Sequence, residues 1–264
     1  MPHNDSAEPA LARALARLYD VDLVDDPGDL DLYLALAART GGPILELGAG
    51  TGRLSVPLAA AGYDVTAVDI DPTMLERAGK RAAAAGDGVR RRVDLVEADL
   101  IGLELPSAGT FRLAFVALNS LFLLATRDDQ HEAFRTLARH LAPGGLAVVD
   151  IWLPDADDLA RFDGRLILEY ERVDPETGLL VTKTAAAQHD SSTAVVGLTV
   201  IFEEGGQGVP PSRWIRGDAL RLVSADELRD FAERAGLIVE SLAGDYDLGE
   251  LGPGSERAIL VARR

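Results

Sequence analysis

Between residues 44 and 152 short apolar runs alternate with stretches of helical periodicity. The runs ILEL (44–47), DVTAVDI (64–70), VDLVEADL (93–100), FRLAFVALN (111–119) and GGLAVVDIW (144–152) are too short and too continuously apolar for surface helices, and they predict buried strands. Residues 51–62, 72–85 and 128–141 carry apolar positions three and four apart and predict helices between them. Strands alternating with helices imply right-handed crossovers, hence a mostly parallel sheet with helices on both faces. Ahead of this block, residues 1–9 read as a frayed tail, 10–18 and 30–39 as helices, and Asp29 as the cap of the second.

After Trp152 the pattern changes. ILEYERVD, VTKTAAAQHD and AVVGLTVIFEE alternate with a period of two and are broken by PETG and DSST, so residues 165–204 predict an antiparallel meander. Residues 205–212 read as a loop and 219–223 as a short strand. Ser224 with Glu227 forms a capping box that opens a helix ending before Gly236. LIVESLAG and RAILVARR then predict a hairpin at the sheet edge. The expected organisation is a helical cap (1–40), an α/β core (41–154), a β-rich lid (155–222) and a segment completing the core sheet (223–264).

Composition narrows the partners. A formal charge of −17 repels phosphate backbones and anionic lipid, so neither nucleic acid nor a membrane is expected. The one basic run, Arg90-Arg91-Arg92, reads as a solvated loop. The absence of cysteine excludes a thiolate nucleophile or a disulfide framework and agrees with a cytoplasmic setting. No run approaches the length of a membrane span, and the acidic opening MPHNDSAEPA is no signal peptide. No metal-ligand cluster is expected.

The segment that carries chemistry is ILELGAGTGRL. Glycines at 48, 50 and 52 stand between a strand and a helix, where a backbone must turn sharply and approach a ligand. Asp69 ends the next strand, 21 residues after Gly48, where an acid accepts hydrogen bonds from ribose hydroxyls. The dinucleotide pattern G-x-G-x-x-G fits poorly, because Arg53 holds the place of its last glycine. Glu46 would also set a carboxylate near a diphosphate, whereas an amine or a sulfonium is welcome there.

ELGAGTGR (46–53), AVDIDPTML (67–75), EADL (97–100), LNSLFLL (118–124) and LAPGGLAVVD (141–150), in this order and spacing, resemble the class I S-adenosylmethionine-dependent methyltransferases. The resemblance implies a seven-stranded sheet of order 3-2-1-4-5-7-6 with strand 7 antiparallel, and S-adenosylmethionine as cofactor with S-adenosylhomocysteine as product. It implies that Gly48, Ala49, Gly50 and Gly52 pass under the cofactor, with Glu46 near its amino group. Asp69 would bind the ribose, Ile70 and Met74 flank the adenine, and Asp99 and Leu100 face its amino group. Asn119 would lie near the methionyl part, and Arg53 reach the carboxylate. The opening helix ending in Tyr-Asp, followed by DPGDLDLY, is similar to bacterial small-molecule methyltransferases that act on amino sugars or natural-product amines. In these the opening helix and a β-rich insertion cover the acceptor.

The expected reaction is methyl transfer to a nitrogen or oxygen of a small molecule by a monomer or homodimer. Displacement at a sulfonium carbon asks the protein mainly to orient and desolvate. Tyr19, His131 and Asn119 are the candidates for a part in the transfer, and Tyr19, Phe122 and Arg216 for holding the acceptor. Each also has a plain reading, as a packing or solvated residue. His3, His140, His189, Trp152, Trp214 and Arg221 read more simply as tail, helix-end, packing or strand residues. Alternatives are a cofactor-binding protein that does not methylate (cyclase-like or regulatory), a macromolecular methyltransferase and an NAD(P)-linked oxidoreductase. Against the last, neither lysine, Lys80 or Lys183, follows a tyrosine by four.

Overall fold

The computed structural model describes residues 7–25, 27–206 and 208–264, so His3 lies outside the described residues. The chain divides into two compact units, one of residues 1–26 with 155–220, the other of residues 27–154 with 221–264.

The larger unit opens with α2 (Leu30–Thr40), numbered after the opening helix α1 (Ala7–Asp22). It continues through β1 (Ile44–Leu47), α3 (Ser55–Ala60), β2 (Val65–Asp69), α4 (Pro72–Ala84), the single turn α5 (Asp87–Arg90) and β3 (Val93–Glu97). Next come β4 (Phe111–Val116), α6 (Arg127–His140) and β5 (Leu141–Trp152). The closing elements α8 (Ala225–Arg234), β10 (Ile238–Ala243) and β11 (Arg257–Arg263) also belong to it. Its seven strands lie in the order β10-β11-β5-β4-β1-β2-β3. The pairs among β1 to β5 are parallel, and β11 runs antiparallel to both β5 and β10. This is the doubly wound α/β sheet expected, with the reversed strand near the edge.

Burial explains the apolar runs. All four residues of β1 are buried, and β4, β5 and β11 are nearly so, as for strands covered on both faces. Leu32, Tyr33 and Leu36 of α2 pack with Ile44, Leu58, Phe115 and Val148 in one core. The Tyr33 and Phe115 rings lie 4.4 Å apart between centroids. On α6 and α8, Phe134 meets Phe231 at 5.7 Å.

His140, at the end of α6, is fully buried. Its Nδ1 lies 2.8 Å from the Thr136 carbonyl, and its Nε2 accepts from the Leu105 N–H at 3.2 Å. That pairing requires the neutral ring. Burial, the largest influence, holds its pKa below the ordinary value of 6.5. The folded state therefore binds fewer protons than the unfolded state below that value. Stability from this site is present above 6.5 and lost as pH falls through the lowered pKa. Denaturant unfolding from about pH 7 to about pH 5 is expected to show this loss in the wild type and a smaller one in His140→Gln.

The smaller unit holds α1, α7 (Ala156–Arg161) and four strands, β6 (Ile167–Val173), β7 (Leu180–Asp190), β8 (Val195–Gly206) and β9 (Val209–Arg221), in that order in one sheet. The β6–β7 and β7–β8 pairs are antiparallel. The meander is thus longer than the turn signals suggest. The segment expected as a loop at 205–212 is mostly strand, and the short strand at 219–223 is the end of the thirteen-residue β9. Turn-forming Pro210 and Pro211 stand near the start of a strand at the sheet's edge, where proline is tolerated. Helix α1 also runs past Tyr19-Asp20 to Asp22. Leu15 and Leu18 seat it on Val181, Val200, Phe202 and Trp214, and Arg17 pairs with the buried Asp174 and Glu204. Lys183 reaches Asp22 at 2.8 Å and Glu169 at 2.9 Å.

Candidate cofactor site

The glycine loop leaves the carboxyl end of β1, where ligands bind in open parallel sheets. Gly48, Gly50 and Gly52 all adopt left-handed backbone angles, with φ of 73°, 55° and 76°. Gly52 has a second constraint, since a Cβ there would stand 3.0 Å from the Ala78 Cβ of α4. The third glycine therefore sets the fit of the loop against the following helix, one position earlier than in the dinucleotide pattern.

The loop is tied internally. Gly48 and Ala49 both donate to the Val68 carbonyl at 2.9 Å, Gly52 to Ala49 at 3.0 Å, and Gly50 to Asp69 Oδ2 at 2.7 Å. These four N–H groups are already used, so they offer no cradle to a diphosphate. Beneath them lies Glu46, buried and hydrogen-bonded by the Ser55 hydroxyl. Burial, only partly offset by Ser55 and Arg53, pushes its carboxyl up to about 8. A nearby cation would favour its charged form; a diphosphate would oppose it.

At the end of β2, Asp69 accepts from the N–H groups of Gly50 and Asp71, the latter at 2.9 Å. Ile70 beside it is 67% exposed, an apolar side chain left open at the ligand edge. Met74, on the first turn of α4, is half-buried. Asp99 follows β3, is exposed, and accepts from the Ile101 N–H at 2.8 Å; the Leu100 carbonyl accepts from Thr136. An exposed apolar side chain next to the Asp69 carboxylate fits a nucleoside, whose base has flat faces and whose ribose has hydroxyl donors.

Leu118 and Asn119 leave β4 in left-handed conformations, φ 47° and 64°, which cost about 1–2 kcal/mol each in a residue with a side chain. The turn is held from β5. Asn119 donates its N–H to the Asp150 carbonyl and accepts from Trp152, while Leu118 donates to the Asp150 carboxylate at 3.3 Å. Ser120 then meets Gly48, where a Cβ would come within 3.3 Å. Phe122, in the same short turn, is buried.

Several residues of this edge escape a sequence reading. Asp29 does not cap α2 with its side chain; its carboxylate takes both Nη atoms of Arg53, at 2.5 and 2.6 Å. Asp150 is fully buried and accepts from Arg257 at 2.8–3.0 Å and from the Tyr246 hydroxyl at 3.1 Å. Tyr33 is fully buried, and its hydroxyl has no hydrogen-bond partner among the described residues. Burial and the charge of Asp150 hold its pKa well above the ordinary tyrosine value. The available signal was Asp150 itself, a carboxylate inside the apolar run AVVDIW, since a buried charge requires a partner.

The remaining candidates are placed as follows. His131 packs its ring on Phe231 at 5.9 Å, with its Nε2 buried and unpartnered among the described residues. Tyr19 is half-buried on α1, and Arg216 on β9 pairs with Asp218 at 2.6 Å; both belong to the smaller unit. Trp214 donates to Glu204, His189 lies near the end of β7, and Arg221 binds Gln130 and Glu227. Among the described residues no cluster of His, Cys, Asp and Glu suits a metal, and no helix is long and apolar enough to cross a membrane.

Comparison with known proteins agrees with this edge. A methyltransferase-domain family (Methyltransf_25) matches residues 44–145, from β1 to the start of β5. The cypemycin N-terminal methyltransferase of a Streptomyces species is 31% identical over 222 residues, 84% of this chain and 82% of that protein. Among solved structures, the CcbJ methyltransferase of Streptomyces caelestis superposes with a TM-score of 0.76 at 27% identity, over 90% of this chain and 95% of that one. The sugar N-methyltransferase KedS8 of a Streptoalloteichus species shares the fold, with a TM-score of 0.71 at 21% identity over 93% and 92%. Because it is 31% identical to a methyltransferase over more than four-fifths of both chains and carries the methyltransferase-domain match in its core, the chain belongs to the class I S-adenosylmethionine-dependent methyltransferases.

Proposed function

We propose that the enzyme methylates a nitrogen of a small-molecule acceptor. The observation that carries this reading is the similarity, over 84% of the chain, to the cypemycin N-terminal methyltransferase. The fold shared with a sugar N-methyltransferase agrees with it. The larger unit adds a physical reason. A neutral amine brings its own lone pair, whereas a hydroxyl needs a base to take its proton. Of this unit's two histidines, His140 is buried against Thr136 and Leu105, and His131 packs its ring on Phe231. Oxygen is the second reading, with His131 or Tyr19 as the base.

In this reading Asp69 holds the ribose, Ile70 and Met74 flank the adenine, and Asp99 and Leu100 lie at its amino edge. Gly48, Ala49, Gly50 and Gly52 form the floor, and Asn119 flanks the methionyl part. Arg53, fixed by Asp29, is assigned to the cofactor's carboxylate. The cofactor supplies the electrophilic methyl group; the protein aligns the acceptor's lone pair and excludes water. Phe122, buried beside the turn at 118–119, is assigned to acceptor contacts in this unit. Incubation with S-adenosylmethionine and paired amine and alcohol analogues, read by mass spectrometry, tests the atom. Methylated amines alone are expected; methylated alcohols alone would overturn the assignment.

Glu46 gives a second check. Near the cofactor's ammonium its carboxylate form is favoured, so binding releases a proton below pH 8 and affinity rises with pH up to about 8. In Glu46→Gln this slope is expected to vanish. A wild-type affinity that is flat from about pH 6.5 to 8.5 places the ammonium elsewhere.

A further inference from the structure

The carboxyl ends of the parallel strands carry the cofactor loop. On the opposite edge, the last turns of α6 and α8 and the end of β11 surround a cleft of about 340 Å³. The topology sets the edge. Residue Leu141 follows α6 directly and opens β5, while Arg263 pairs with Leu146 and Ile238, all at the amino end of β5. Four arginines line the cleft, Arg135, Arg139, Arg234 and Arg264.

Such a group is unusual in a chain of net charge −17. Screening reduces distant charges beyond about 8 Å at physiological salt, so the local set decides what binds. The helix dipole accounts for Arg139 and Arg234, which sit in last turns. It does not account for Arg135, a turn earlier, or for Arg264 on the strand side. The acidic partners are fewer than the arginines. Arg135 and Arg139 share Glu132, at 3.2 and 3.4 Å. Arg234 reaches Asp230 at 3.6 Å, and Asp230 is also held by Arg127 at 2.8 Å. Arg264 gives one Nη to the Leu141 carbonyl. Arg139 Nε is buried with no partner among the described residues. Arg139 also donates to the Thr136 hydroxyl at 3.0 Å. Each guanidinium carries five donors, so most donors of these four arginines are uncommitted among the described residues.

We propose that this cleft binds a small, multiply charged oxyanion of the phosphate-ester or diphosphate class, at a site separate from the cofactor loop. Planar guanidinium forks match such oxygens in pairs. By contacting α6, α8 and β11 together, the anion would also tie three elements of the sheet edge.

The test is calorimetric titration with inorganic pyrophosphate at about 0.15 M chloride, with the enzyme saturated by S-adenosylhomocysteine. Saturable binding below about 1 mM is expected, weakened at least about tenfold in Arg135→Gln/Arg234→Gln. Both side chains are more than half exposed, at 59% and 57%, so the variant is expected to fold and to bind S-adenosylhomocysteine normally. Arg90→Gln/Arg91→Gln, in the other basic run, is expected to bind pyrophosphate as the wild type does. The proposal is overturned by absence of saturation up to about 10 mM, by equal binding in the Arg135/Arg234 variant, or by equal loss in the Arg90/Arg91 variant.

Discussion

Asp69→Ala is expected to weaken S-adenosylmethionine binding by about 3 kcal/mol, roughly 100-fold or more, while the protein stays folded. Two losses combine. The ribose hydroxyls lose a charged acceptor, and hydrogen bonds to charged groups contribute about 1.5–3 kcal/mol. The Gly50 and Asp71 N–H groups lose theirs as well, so the loop floor is no longer held to β2. Asp69→Asn separates the two effects. Its amide oxygen still serves one backbone donor, its NH2 opposes the other, and an intermediate affinity is expected. Calorimetric titration of the three proteins measures this. Unchanged affinity in a folded Asp69→Ala variant removes Asp69 from the ribose role.

The second large effect is on stability. Asp150→Ala is expected to cost about 3–5 kcal/mol in denaturant unfolding, because it strips a buried ion pair of one partner. Arg257 would lose three contacts of 2.8–3.0 Å, and the Tyr246 hydroxyl its acceptor. Leu118 N–H would lose its carboxylate partner, and with it part of what holds the left-handed turn at 118–119. Because Ser120 of that turn abuts Gly48, the variant is also expected to bind the cofactor more weakly. Asp150→Asn keeps an acceptor for Arg257 and the shape of the turn, so a smaller cost is expected. A loss below about 1 kcal/mol in Asp150→Ala would mean that Arg257 finds water instead.

How far the sequence is legible follows from which forces act locally. The parallel core is readable because both-face burial writes itself as apolar runs such as ILEL and AVVDIW, bounded by turn glycines. The Ser224–Glu227 capping box is readable because it closes within four residues. Helix α1 is misjudged at its end because Tyr19-Asp20 carries no stop signal of its own; the turns beyond are held by contacts such as Lys183 to Asp22, far apart in the chain. The start of β9 is misjudged because Val-Pro-Pro-Ser has turn composition but an edge-strand position.

For the candidate site the division is similar. Gly48, Gly50, Gly52 and Asp69 stand at positions that backbone geometry dictates, so their spacing alone marks them. The Asp29–Arg53 fork closes over 24 residues, and Asp150 with Tyr246 and Arg257 joins segments from the two parts of the unit. No local pattern encodes such partners. The candidates Tyr19 and Arg216 are the least legible, since they stand in elements whose sequence differs little from ordinary amphipathic structure.

The most direct measurement is a calorimetric titration of the purified protein with S-adenosylmethionine, S-adenosylhomocysteine, NADH and NADPH under one buffer. Binding of the first two with no heat from either nicotinamide is expected, because the N–H groups of Gly48, Ala49, Gly50 and Gly52 are already bonded and the carboxyl of Glu46 is buried just before them. Binding of a nicotinamide alone would contradict the assignment of residues 46–53 to a sulfonium nucleoside.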